Sequence, residues 1–202
     1  MPQTTIRPLR PDDWRLYRSV RLAALADAPE AFGSTWAREQ AFPEETWRER
    51  LSRRNTFLAE RDGAPCGLAS VLLTDPRSAE LVSFWVTPAA RGSGTADLLL
   101  DTALTYAAAH ARTELRLWVA AGNDRAERFY RRRGFTRTGE SQPVRPDEPG
   151  LEYAMTRPTP HTRTDAHHRA QPRVRQRSSY RPPSASRRLT FRPPSSLKDT
   201  LM

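Results

Sequence analysis

Pro88, Gly92 and Gly94 constrain this chain most, because they force a sharp change of backbone between two regular segments. Ahead of them, residues 79–86 are rich in aromatic and β-branched side chains and predict a strand. Pro88 offers no donor to a sheet ladder and ends it. Behind the glycines, Leu99, Leu100, Ala103, Leu104 and Ala107 recur with helical period. The unit is strand, glycine loop, helix. The first turn of a helix leaves backbone N–H groups without partners and carries about half a positive charge. Glycines let that backbone approach a phosphate closely, and Arg91 adds a forked cation suited to one. Arg91, Gly92, Ser93, Gly94, Thr95 and Ala96 therefore make a candidate diphosphate cradle.

Two common cradles do not fit. A P-loop needs Gly-Lys-Ser/Thr, but Gly94 is followed by Thr95 and Ala96. A dinucleotide fingerprint needs a third glycine. What remains is Arg91-x-x-Gly94-x-Ala96, and a second block accompanies it. In residues 114–119, Leu115, Leu117 and Val119 alternate with Arg116 and Trp118 as in a strand. Asn123 or Asp124 then suits a helix N-cap, Ala126, Phe129 and Tyr130 share one face, and Gly134 suits a left-handed stop. Together these blocks resemble the GNAT superfamily of acyl-CoA-dependent N-acetyltransferases. Its signatures R/Q-x-x-G-x-G/A and N-x-x-A-x-x-F-Y-x-x-x-G-F are matched at every fixed position, with Thr95 where an aliphatic residue is usual.

The resemblance covers roughly residues 4–157 and implies an α/β (α+β) fold. A mixed, mostly antiparallel sheet is flanked by helices in the order β-α-α-β-β-β-α-β-α-β-β, and the parallel strands ending at Val86 and Val119 splay apart. It also implies acetyl-CoA as co-substrate, with no metal. The pantetheine arm would pair with strand backbone near Trp85 and Val86, where an N–H holds the oxyanion. The amides of residues 92–96 would take the diphosphate, Asn123 the pantetheine amides. Tyr130 occupies the position that protonates the departing thiolate, and Glu80 the position of a base. From the residues alone, Asn123 serves equally as an N-cap, Tyr130 as core and Glu80 as a solvated edge carboxylate. Strand alternation puts Glu80, Val82, Phe84 and Val86 on one face unless a bulge intervenes. His110, at a helix end, suits dipole compensation.

The family places acceptor contacts in residues 29–41 and 141–150. Trp36, Glu39, Asp147 and Glu148 there suit a cationic amine, either a small molecule or a protein N-terminus, with Arg38 opposing Glu39.

Elsewhere, Asp12 and Asp13 precede a helix to about Ala28, Pro43 opens a second over residues 44–53, and residues 29–36 read as a break. Asp62-Gly63 joins two strands. The single Cys66 excludes an internal disulfide. No apolar run reaches the ~20 residues of a membrane span, and no basic-then-apolar leader is visible, so a cytoplasmic protein without membrane contact is expected, as monomer or homodimer.

Net charge is +10, but residues 159–202 hold ten cationic side chains against two aspartates, or +8, which leaves +2 for residues 1–158. The domain expected is residues 1–158. The Arg-, Pro- and Ser-rich remainder buries too little to offset its ordering entropy and is expected to be disordered, as a solvated extension or a weak nucleic-acid arm. The alternative to an acetyltransferase is a non-catalytic acyl-CoA-binding or nucleic-acid-associated protein acting through that tail.

Overall fold

The structure is a computed structural model that describes residues 3–146 and 148–160. The chain forms β1 (Thr4–Pro8), α1 (Trp14–Asp27), α2 (Trp36–Gln40), α3 (Glu44–Ser52), β2 (Thr56–Arg61), β3 (Ala64–Leu72), β4 (Ser78–Val86), α4 (Thr95–Ala109), β5 (Glu114–Ala120), α5 (Asp124–Arg132), β6 (Thr136–Pro143) and β7 (Leu151–Pro158). This is the expected order with one addition. The supposed break holds a 3-10 turn, Pro29–Ala31, and leads into α2, where the Thr35 hydroxyl accepts the Arg38 N–H at 3.2 Å. Five residues are too few to show a helical period. The basic segment expected to be disordered lies, beyond Pro160, outside the described residues, as does Asp147.

The strands pair as β1-β2-β3-β4-β5-β7-β6. Only β4 and β5 are parallel among the described pairs. Positive φ at Asp62 (52°) and Gly63 (77°) gives the tight turn between β2 and β3. On one face of the sheet, α4 buries Leu99, Leu100, Ala103, Leu104 and Ala107 against Ala69, Val71, Leu115 and Leu117. On the other, α1 and α3 bury Tyr17, Val20, Leu25, Trp47 and Leu51 against Leu58, Leu68 and Trp85. Each fully buried leucine contributes about 1.5–3 kcal/mol. Gly67 sets how closely α4 sits on the sheet, since a Cβ there would lie 2.9 Å from Leu99 Cδ1 and 3.0 Å from the Trp85 carbonyl.

The parallel pair meets only where Ser78, Ala79 and Glu80 face Glu114, Leu115 and Arg116. Beyond that point β4 and β5 part, as expected of the splayed pair. A bulge accompanies the parting. Leu68 faces Trp85 and Ser70 faces Val82, so Ala69 alone opposes both Ser83 and Phe84, and Ser83 takes φ 55°.

Candidate active site

The candidate cradle lies where β4 gives way to α4. Gly92 and Gly94 take φ of 79° and 86°, conformations that L side chains rarely adopt. A Cβ on either would meet nothing within 4 Å, so the space above them is open. Gly94 is the N-cap of α4, and no side chain caps that helix, leaving its first-turn amides facing the loop. Thr95 is buried, and its hydroxyl lies 2.8 Å from that of Ser93, which donates to the Ala90 carbonyl at 2.7 Å. The residue that departs from the usual aliphatic type thus fixes the loop through its oxygen.

At the end of β4 the peptide between Val86 and Thr87 is turned toward the gap. Thr87 N–H donates to the Cys66 carbonyl on β3 at 2.9 Å. In a trans peptide the preceding carbonyl points the opposite way, and the N–H of an extended residue lies on the side of its own carbonyl. Both polar groups of Val86 therefore face the β5 side. Arg91 reaches back to this point: its Nε donates to the Val86 carbonyl at 3.2 Å, and its Nη2 donates to Asp27 at the end of α1. Asp27 also accepts from Trp85 Nε1 at 2.8 Å. Trp85 itself packs with Leu58 and Leu68 on the α1 side.

The bulge corrects the expected alternation. Ala79, Leu81, Phe84 and Val86 join the core under α4, so one extra residue separates Leu81 from Phe84. Glu80 and Val82 therefore share the α1 face with Trp85, and Glu80 does not lie on the face of Phe84 and Val86. Arg116 and Trp118 of β5 and Glu152 and Ala154 of β7 lie on that face too. Burial pushes the Glu152 carboxyl above the usual range, with Glu80 adding to the rise against a 2.7 Å hydrogen bond from Gln142. Nothing in the sequence distinguished Glu152, which sits in an ordinary strand.

The turn Pro29–Ala31 contacts β5 and roofs this face. Arg145, in the turn between β6 and β7, donates from Nη1 to the carbonyls of Pro29 (3.1 Å) and Phe32 (2.9 Å) and pairs with Glu148. The two segments expected to hold an acceptor are thus tied together. Within them, Glu39 is corrected: it faces no pocket. It is fully buried, accepting from Arg21 (2.8 Å) and Arg50 (2.9 Å). Burial acts to raise its pKa, but the two guanidiniums hold it below the usual carboxylate range. Trp36 is exposed.

Tyr130 lies on the α4 side of the gap, its ring centroid 5.8 Å from Phe84, 5.3 Å from Phe129 and 5.6 Å from Phe135. Its hydroxyl has no hydrogen-bond partner among the described residues, and burial pushes its pKa well up. Asn123 does cap α5, its side chain accepting the Ala126 N–H at 3.2 Å. That uses the oxygen and leaves the amide N–H₂ as donor. Gly134 takes φ 84°, the left-handed stop expected, and the His110 ring sits 2.8 Å from the Tyr106 carbonyl at the end of α4.

A family model described as the Acetyltransferase (GNAT) family matches residues 20–135. The chain belongs to the GNAT family. An uncharacterized N-acetyltransferase of Mycobacterium tuberculosis is 34% identical over 87 residues, 43% of this chain and 56% of that protein. The mycothiol acetyltransferase of Streptomyces griseus is 32% identical over 134 residues, 65% of this chain and 43% of that protein. The chain thus spans about half the length of the curated relatives it matches. A Salmonella typhimurium protein solved with its cofactor acetyl-CoA shares the GNAT fold, with TM-score 0.63 and 18% identity, over 85% of this chain and 98% of that one. No helix among the described residues is long and apolar enough to cross a membrane.

Proposed function

We propose that this GNAT protein transfers the acetyl group of acetyl-CoA to a primary amine by direct attack in a ternary complex. The observation that carries this reading is the Val86 peptide turned into the β4–β5 gap, beside the uncapped start of α4. The first-turn amides of α4 and the open loop at Gly92 and Gly94 take the diphosphate, with Arg91 within reach. Val86 pairs with the pantetheine arm, and its N–H is the donor for the oxyanion. Asn123 offers its amide N–H₂ to the same arm. The acetyl-CoA seen with the Salmonella protein supports this choice of co-substrate.

Glu80 takes the proton from the ammonium form of the acceptor on the α1 face. The freed nitrogen lone pair attacks the thioester carbon, the nitrogen gives up its second proton to solvent, the C–S bond breaks, and Tyr130 gives its proton to the departing thiolate. Solvent then returns a proton to Tyr130 and takes the one held by Glu80. The acceptor is a small-molecule or protein amine, and the relative named for mycothiol favours the small-molecule end. Residues 1–158 form the catalytic domain, and the basic segment after them is an appendage with at most a weak nucleic-acid contact.

The test is release of coenzyme thiol from acetyl-CoA across a panel of amines. Amine-dependent release supports the reading. Acetyl-CoA binding without release by any amine would favour a non-catalytic acyl-CoA-binding protein.

A further inference from the structure

We infer that Asp27 is a positioning residue that holds Arg91 away from the coenzyme diphosphate and thereby sets coenzyme affinity. The inference rests on the cradle assignment above. Asp27 is the last residue of α1, where the helix dipole disfavours a carboxylate. Its partners account for its presence there. It accepts the Trp85 indole N–H at 2.8 Å and pairs with Arg91 Nη2, both carboxylate and guanidinium being about a quarter to a third exposed.

The guanidinium spends one edge on this arrangement. Nε donates to the gap-facing Val86 carbonyl while Nη2 donates to Asp27. That edge is the one that forks onto an anion. The Val86 carbonyl is also the acceptor assigned to the pantetheine arm. Coenzyme entry therefore displaces Arg91 from both contacts, and the diphosphate takes over the charge that Asp27 gives up. Asp27 competes with the coenzyme for Arg91. Because α1 runs directly into Pro29–Ala31, the turn roofing the acceptor face, the exchange links the two substrates.

Asp27→Asn separates the charge from the packing, since the amide oxygen still accepts the Trp85 indole N–H. Calorimetric titration with acetyl-CoA should show the variant binding roughly two- to fivefold more tightly, the range for a partly exposed ion pair. Arg91→Met should bind more weakly than wild type, and adding Asp27→Asn to it should change nothing further. In turnover, KM for acetyl-CoA should fall in Asp27→Asn while kcat holds. Melting temperatures guard the comparison. If Asp27→Asn is poorly folded, Asp27→Thr, which keeps an oxygen for the indole, carries the same test. Equal or weaker binding in the charge-removed variant overturns the inference while wild-type binding leaves the cradle standing. If wild type fails to bind acetyl-CoA at all, the cradle assignment falls and takes the inference with it.

Discussion

Tyr130→Phe should leave the fold untouched and disable the chemistry, and the structure says why the two separate. The ring packs against Phe84, Phe129 and Phe135 with centroids 5.3 to 5.8 Å away, and phenylalanine keeps every one of these contacts. The hydroxyl has no hydrogen-bond partner among the described residues, so its loss breaks no hydrogen bond within the protein. The melting temperature should therefore be nearly unchanged. If Tyr130 is the general acid, the acetyl-transfer rate should fall by roughly 10²-fold or more. That is about 2.7 kcal/mol of barrier at 1.36 kcal/mol per decade. Acetyl-CoA affinity should hardly move, because the lost interaction forms in the transition state. Single-turnover kinetics make the comparison where chemistry is observed directly. Burial raises the Tyr130 pKa, so the hydroxyl stays protonated through neutral and mildly alkaline pH, and no loss of activity there belongs to it. A variant turning over at the wild-type rate would make Tyr130 a core residue and leave the thiolate to solvent.

Gly94→Val forces a β-branched residue to φ 86° at about 1–2 kcal/mol but meets no neighbour, so the protein should fold and lose acetyl-CoA binding by calorimetry. Unchanged affinity would remove the phosphate assignment. Glu39→Gln leaves the guanidiniums of Arg21 and Arg50 without a counter-charge and should cost about 3–5 kcal/mol in denaturant unfolding. Because the folded pKa of Glu39 is depressed, its contribution is present above the unfolded carboxylate value of about 4.3 and is lost as pH falls through the folded one. Wild type should therefore lose stability in acid more steeply than the variant, and parallel acid profiles would contradict this. Burial raises the Glu152 pKa, so the carboxylate costs stability at neutral pH, and Glu152→Gln should be more stable than wild type there and lose that advantage as pH falls through the Glu152 titration. A stability difference that does not change with pH would contradict this. Cutting after Thr162 preserves the Thr159 contacts with Arg112 and Thr113. It should leave the transfer rate intact and abolish salt-sensitive retention on nucleic acid, because the removed residues carry +8. Lost activity would assign the segment a place in the domain.

The elements were legible where one short stretch carries its own signal. Pro88 with two glycines, the period of Leu99 to Ala107, the Asp62-Gly63 turn and the Gly134 stop all act within a few residues, and each appears where expected. Placement of charge was not legible, because it depends on partners far along the chain. Glu39 reads as a contact for a cationic acceptor until Arg21 and Arg50, on two other helices, close on it. Asp27 and Arg91 are 64 residues apart, and Arg145 and Phe32 are 113 apart. No local pattern announces either pair.

The bulge at Ser83 shows how one residue decides what the site can do. Without it, Glu80 would fall on the face of Phe84 and Val86, the face where Tyr130 packs, and base and acid would crowd one side of the sheet. The extra residue keeps Phe84 with Tyr130 under α4 and leaves Glu80 on the α1 face with Trp118 and Glu152. On the proposed mechanism this division is functional. The amine loses its proton on the side roofed by Pro29–Ala31, the sulfur gains one on the side of α5, and the thioester carbon lies in the gap between them. Ser83 itself carries no chemistry in this scheme. Its φ of 55° is the backbone condition for the arrangement, so a glycine there should keep the register whereas a β-branched residue should strain it.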